Sequence, residues 1–153
     1  MTKTIFTTKE KNKWWETIFT TWSSPKKEEQ EVFTTKDFPE AIWPYSPSYK
    51  AWKTYYFSWQ IGINPKTKKL VKWWIEFQTT QVIKNISWVL AKNKLEFKDI
   101  VKTTIFLKNI NDFAIVNEIY AKYFSHKPAR STVEVSNLPL WALIEIEVIA
   151  RKS

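Results

Sequence analysis

Residues 144–148 read Ile144-Glu145-Ile146-Glu147-Val148, a strict alternation that sends Ile144, Ile146 and Val148 to one face of a strand and Glu145 and Glu147 to the other. A strand written this way belongs to a sheet with one face on a core and the other turned to polar surroundings. The cover for the apolar face stands earlier in the chain. Ile75, Thr79, Val82, Ile83, Ile86, Val89 and Leu90 recur at spacings of three and four, which predicts a helix of about 18 residues with one buried stripe.

Working outward from these two elements, Tyr55 to Ile63 is β-branched and aromatic and stops at Asn64-Pro65-Lys66-Thr67, a turn by composition. Ile100 to Leu107 and Ser131 to Val135 read as further strands. Asn111 is the expected N-cap of a second helix whose face is Phe113, Val116, Tyr120, Tyr123 and Phe124. The order is strands, helix, strand, helix, strand, strand, an α+β layer with both helices on one side of the sheet. The uncovered face bears aromatic and β-branched residues and is expected to be buried against another copy, which makes the clefts between subunits candidate sites.

At 153 residues and 18.3 kDa, 44% hydrophobic and 25% charged, the chain has the material for one core and is not disordered as a whole. No apolar run reaches the roughly 18 residues of a membrane span, and Met1-Thr2-Lys3-Thr4 lacks the apolar core of a secretory signal, so a cytoplasmic protein without a membrane partner is expected. The absence of cysteine excludes disulfides, thiol nucleophiles and thiolate metal sites, and one histidine, His126, excludes a histidine cluster. Neither metal nor organic cofactor is expected. The net charge of +9 comes from 24 Lys and Arg against 15 Asp and Glu, of which residues 1–36 hold 7 and 5. It is mostly lysine and spread out. Lys68, Lys69 and Lys72 beside Trp73 and Trp74 come nearest to a nucleic-acid patch, but a solvated lysine surface is the preferred reading, and nucleic acid is not an expected partner.

Ile5-Phe6-Thr7-Thr8, Ile18-Phe19-Thr20-Thr21 and Val32-Phe33-Thr34-Thr35 repeat one strand-like phrase, and only the third copy runs straight into the body of the chain. Residues 1–30 are therefore read as an extension, weakly ordered or pairing as edge strands, and residues 31–153 as the domain. Three polar residues of the domain stand out. Arg130 is one of two arginines in a lysine-rich chain, and a planar guanidinium suits bidentate carboxylate binding. Glu145 lies between isoleucines, and Tyr45 sits in the rigid frame Pro44-Tyr45-Ser46-Pro47. The alternative reading pairs Arg130 with Glu145 as a structural ion pair and leaves Tyr45 to plug a gap.

Five blocks, in order, carry a family resemblance: Pro39-Glu40-Ala41-Ile42-x-Pro44-Tyr45-Ser46-Pro47; Phe57-Ser58-x-Gln60-Ile61-Gly62-Ile63-Asn64-Pro65; Ile100-Val101-Lys102-Thr103-Thr104-Ile105-Phe106-Leu107; Asn111-Asp112-Phe113 with Val116-Asn117-x-x-Tyr120; and Pro128-Ala129-Arg130-Ser131-Thr132-Val133-Glu134-Val135 followed by Leu138-Pro139 and Ile144-Glu145-Ile146-Glu147-x-Ile149-Ala150. Residues 32–152 thereby resemble the RidA family of YjgF-type reactive intermediate deaminases. The resemblance implies a chorismate-mutase-like mixed sheet in a homotrimer, with sheets inside, helices outside and a cleft at each interface. It also implies hydrolytic deamination of 2-imino acids such as 2-iminobutanoate and 2-iminopropanoate to 2-keto acids and ammonia. In that reading Arg130 clamps the substrate carboxylate, Glu145 activates water and passes a proton to the departing nitrogen, and Tyr45 closes the pocket. Ser58, Trp59 and Thr132 supply substrate contacts, in part through their backbone, and no metal is used. The competing expectations are a trimer that binds a small ligand without turnover and an RNA-binding or ribonuclease-like relative.

The departures from the family cluster on one residue type. Trp43, Trp52, Trp59, Trp73, Trp74 and Trp141 occupy positions where the family carries glycine, and the chain has 1 Gly and 10 Trp. Two explanations are open: a fold that has adapted to tryptophan, or codons that mean glycine in the source and tryptophan here.

Overall fold

The alternating run of residues 144–148 becomes the middle of the molecule. In the computed structural model, which describes residues 44–71 and 73–153, the last strand, β7 (Ile144–Arg151), lies at the centre of a five-stranded sheet. Its antiparallel neighbours are β2 (Thr54–Ile61) and β5 (Ile100–Leu107). β1 (Ser48–Ala51) closes one edge antiparallel to β2, and β6 (Ala129–Glu134) closes the other parallel to β5. The order is β1-β2-β7-β5-β6, a mixed sheet, and a small ribbon of β3 (Ile63–Asn64) and β4 (Lys69–Leu70) projects beside it.

The long helix, α1 (Ile75–Lys92), buries Val82, Ile83, Ile86, Val89 and Leu90, the stripe read from their spacing. These side chains share one core with Ile105 and Leu107 of β5 and Ile144, Ile146 and Val148 of β7. Each such side chain contributes about 1.5–3 kcal/mol on leaving water, so this contact anchors the fold. The shorter α2 (Phe113–Ala121) adds Val116 and Tyr120 to the same core, which places both helices on one face of an α+β sheet, as expected. On the other face stand Tyr49, Tyr56, Lys102, Thr104, Phe106, Glu145, Glu147 and Ile149, whose registers alternate with the core residues.

Three local expectations change. The strand from Tyr55 ends at Ile61, because Gly62 bends the chain where a Cβ would come 3.1 Å from Cα of Gln78. Asn111 is not the cap of the second helix. It lies in a 3-10 turn, Ile110–Asp112, whose first residue is capped by Asn109 through its side-chain oxygen to the N–H of Asn111, and the helix follows without a side-chain cap. Of its expected face, Val116, Tyr120 and Phe124 are buried while Phe113 and Tyr123 are exposed, since α2 stops at Ala121 and Tyr123 and Phe124 leave on the following turn. The extension at residues 1–30, and the three repeats within residues 5–35, lie outside the described residues.

Candidate active site

The candidate residues fall into two groups, and the sheet separates them. The first lies where β1, β2 and β7 meet. β2 carries a bulge between Phe57 and Gln60, so Ser58 and Trp59 bulge out of the ladder beside β7. The bulge is tied down from outside: the Ser58 N–H donates to Pro47 O at 3.0 Å and the Ser58 hydroxyl donates to Ser46 O at 2.5 Å. Those two bonds fix the loop that carries Tyr45, whose ring meets the Trp59 indole at a centroid distance of 5.6 Å and a tilt of 33°. The Ser58 hydroxyl proton is thus used in positioning the loop. Just past the bulge, Ile61 pairs in register with Glu145.

Glu145 is only 9% exposed although no helix among the described residues covers its face. Phe106 faces it across β5 and Ile61 across β2. Burial, and then the charge of Glu147 two residues along the same face, push its carboxyl up to about 7. A carboxylic acid poised there can hold a proton or release it near neutral pH, which a general acid–base group requires. The Tyr45 hydroxyl is likewise raised by burial, so it stays protonated and can act as a donor.

The second group lies on the far edge strand. Arg130 pairs in register with Thr103, and Thr103 turns into the helix-covered face to bond the Tyr120 hydroxyl at 2.9 Å. Arg130 follows it: its guanidinium lies 4.8 Å over the Tyr120 ring and 5.6 Å from that of Phe113, both on α2. Cation–π contact holds the head group in place without occupying its N–H donors with a carboxylate. Thr132, two residues on and therefore on the same face, keeps its hydroxyl buried without a hydrogen-bond partner. A half-buried guanidinium beside an unsatisfied hydroxyl is an arrangement that favours an anionic, hydrogen-bonding ligand.

Arg130 and Glu145 therefore stand on opposite faces of the sheet, with β5 between their strands. They form no ion pair within the chain. Within one chain they cannot converge on one small molecule. Phe113 and Tyr120 are the residues sequence reasoning missed as site components; it placed them on a buried helix stripe, and their spacing of seven on α2, facing one of two arginines, was the available signal. Among the described residues no group of three His, Cys, Asp or Glu side chains could hold a metal ion, and no helix is long and apolar enough to cross a membrane.

The family model described as endoribonuclease L-PSP matches residues 35–152. The chain belongs to this family, the RidA or YjgF group. The human 2-iminobutanoate/2-iminopropanoate deaminase is 41% identical over 122 residues, covering 79% of this chain and 89% of that protein. Among solved structures, the Rid-family protein YyfA from Yersinia pestis, described as of unknown function, is 53% identical with a TM-score of 0.77, over 80% of this chain and 99% of that one. TdcF of E. coli, solved with bound serine, is 31% identical with a TM-score of 0.75, over 80% of this chain and 99% of its own. The RidA fold is thus shared along the described domain, and the deaminase names attach to relatives such as the human protein that match 79% of this chain.

Proposed function

We propose that the protein hydrolyses 2-imino acids to 2-keto acids and ammonia in a cleft built from two copies of the chain. The observation that carries this reading is the pair of half-sites: a carboxyl poised near neutrality on the open face, and a carboxylate-free guanidinium on the edge strand. Each is incomplete alone. A second copy that laid the edge of its β6 beside the open face would bring them together, and in a closed trimer every copy would serve both roles. The relative solved with serine binds a small molecule with the same carboxylate, which fits the guanidinium's part.

The chemistry needs few groups because an imine carbon is already electrophilic. Arg130 holds the substrate carboxylate through two parallel N–H bonds, fixing the carbon, and the Thr132 hydroxyl donates to the same end. Glu145, its carboxyl pushed up to about 7 by burial, takes a proton in its ionised form from the attacking water as the carbon–oxygen bond forms. It returns that proton to the nitrogen to give a carbinolamine, then takes the proton of the new hydroxyl and passes it to the nitrogen as the carbon–nitrogen bond breaks, so that ammonia leaves and the carbonyl of the keto acid forms. Tyr45 closes the pocket and donates to the substrate. The Trp59 indole, packed on Tyr45, limits the room available, so entry depends on what stands at position 59.

The test is ammonia release from 2-iminobutanoate generated in place by a PLP-dependent dehydratase acting on threonine. Acceleration of imine disappearance over the uncatalysed rate, lost in Glu145→Gln, supports the reading. Tight binding of a 2-keto acid with no acceleration would instead make the protein a ligand-binding relative.

A further inference from the structure

We infer that Trp52, Trp73, Trp74 and Trp141 stand at positions that are glycine in the protein its own cell makes, the codon UGA being read there as glycine. Conformation carries the argument at two of them. Trp52 has φ of 55° and is the first of the two residues, Trp52 and Lys53, that join β1 to β2 across the Ala51–Thr54 pair. A two-residue hairpin with a left-handed first position calls for glycine there, because a Cβ is strained at positive φ. Trp141 has φ of 61° directly after Leu140 at 55°, in the tight turn that leads to Ala142. The bulky β-carbon substituents make two successive left-handed residues costly, and glycine at the second relieves the strain.

Exposure points the same way by an independent route. Tryptophan ordinarily buries most of its large ring. Here Trp52, Trp73, Trp74 and Trp141 are 65%, 67%, 67% and 73% exposed, the four most exposed large apolar side chains among the described residues. They pack on little and contribute little. Trp88, by contrast, lies within α1, is partly buried against the core and carries Lys92 at 5.1 Å from its ring, so tryptophan has a use there. The composition agrees in direction: 1 Gly is far below the roughly 7% that an ordinary domain uses, beside 10 Trp. At Gly62, where glycine is written, φ is negative and the need is the close approach of Gln78.

Tandem mass spectrometry of peptides spanning positions 52 and 141, from protein purified out of the source cells, decides the assignment. Glycine at both is expected, each peptide being lighter by one indolylmethyl side chain, and tryptophan at both overturns it. A second measurement, on protein expressed with the sequence as written, tests the physical basis. Trp52→Gly and Trp141→Gly should each raise the melting temperature by a few degrees, while Trp88→Gly lowers it; a fall at both turn positions would overturn the conformational argument. Neither result depends on the imino acid chemistry, so the two proposals fail separately.

Discussion

Glu145 keeps a carboxyl in a place that favours its neutral form, and this has a cost that varies with pH. Its folded value of about 7 lies above the ordinary 4.5, so the folded state holds the proton more tightly than the unfolded chain between those values. The contribution to stability is complete below about 4.5, falls as pH rises through 7, and is lost above it. Glu145→Gln should therefore leave stability at pH 4 unchanged and raise it at pH 8, as read by urea unfolding at the two pH values. The same substitution should lower kcat by roughly 10²–10⁴ if the carboxylate is the base, and the wild-type kcat/KM should fall on the acid side of about pH 7. Arg130→Lys keeps the charge but not the planar fork or its stacking on Tyr120. Lost bidentate geometry is worth about 2 kcal/mol, so kcat/KM should drop about thirtyfold with the fold intact. Should Glu145→Gln keep full turnover while Arg130→Lys unfolds the protein, both residues are structural.

At the scale of elements, periodicity was read well where packing obeys it and poorly where a local bond decides. The α1 stripe and the strand Ile100–Leu107 were legible because burial on one face imposes spacings of 3.6 and 2 on the sequence. The bulge at Ser58 and Trp59 was not, since it depends on the bonds to Pro47 and Ser46 that exist only once β1 is in place. The expected cap at Asn111 failed for a related reason: Asn109, two residues earlier, bonds the N–H of Asn111 and starts a 3-10 turn in front of α2. β6 begins at Ala129, two residues before the expected start, and so Arg130 is a strand residue with a fixed face. The candidate side chains were named from the sequence, but their division between faces was not, because a face is assigned only by register with the neighbouring strand. The family match begins at residue 35, beyond the extension. Deleting residues 1–30 should leave the cooperative melting transition and the oligomeric state unchanged. Loss of that transition, followed by circular dichroism, would make the extension part of the fold.

Among the described residues one sheet face carries no helix, and that face is where the two half-sites must be joined. Tyr49 and Tyr56 are 40% and 47% exposed there, on neighbouring strands, and Val133 at the far edge is 44% exposed. Light scattering should therefore find a trimer, and a monodisperse monomer would rule out a shared cleft. The stronger measurement uses two impaired proteins. Arg130→Lys carries an intact Glu145, and Glu145→Gln carries an intact Arg130. If one copy supplies the guanidinium and its neighbour the carboxyl, unfolding and refolding the two variants together in equal amounts yields trimers in which about a quarter of the clefts regain both groups, because each of two independent positions is filled correctly half the time. Ammonia release should rise accordingly over either variant alone. If one chain supplied both groups to the same cleft, no mixture could restore activity. The opposite faces that Arg130 and Glu145 occupy in the sheet make recovery the expected result.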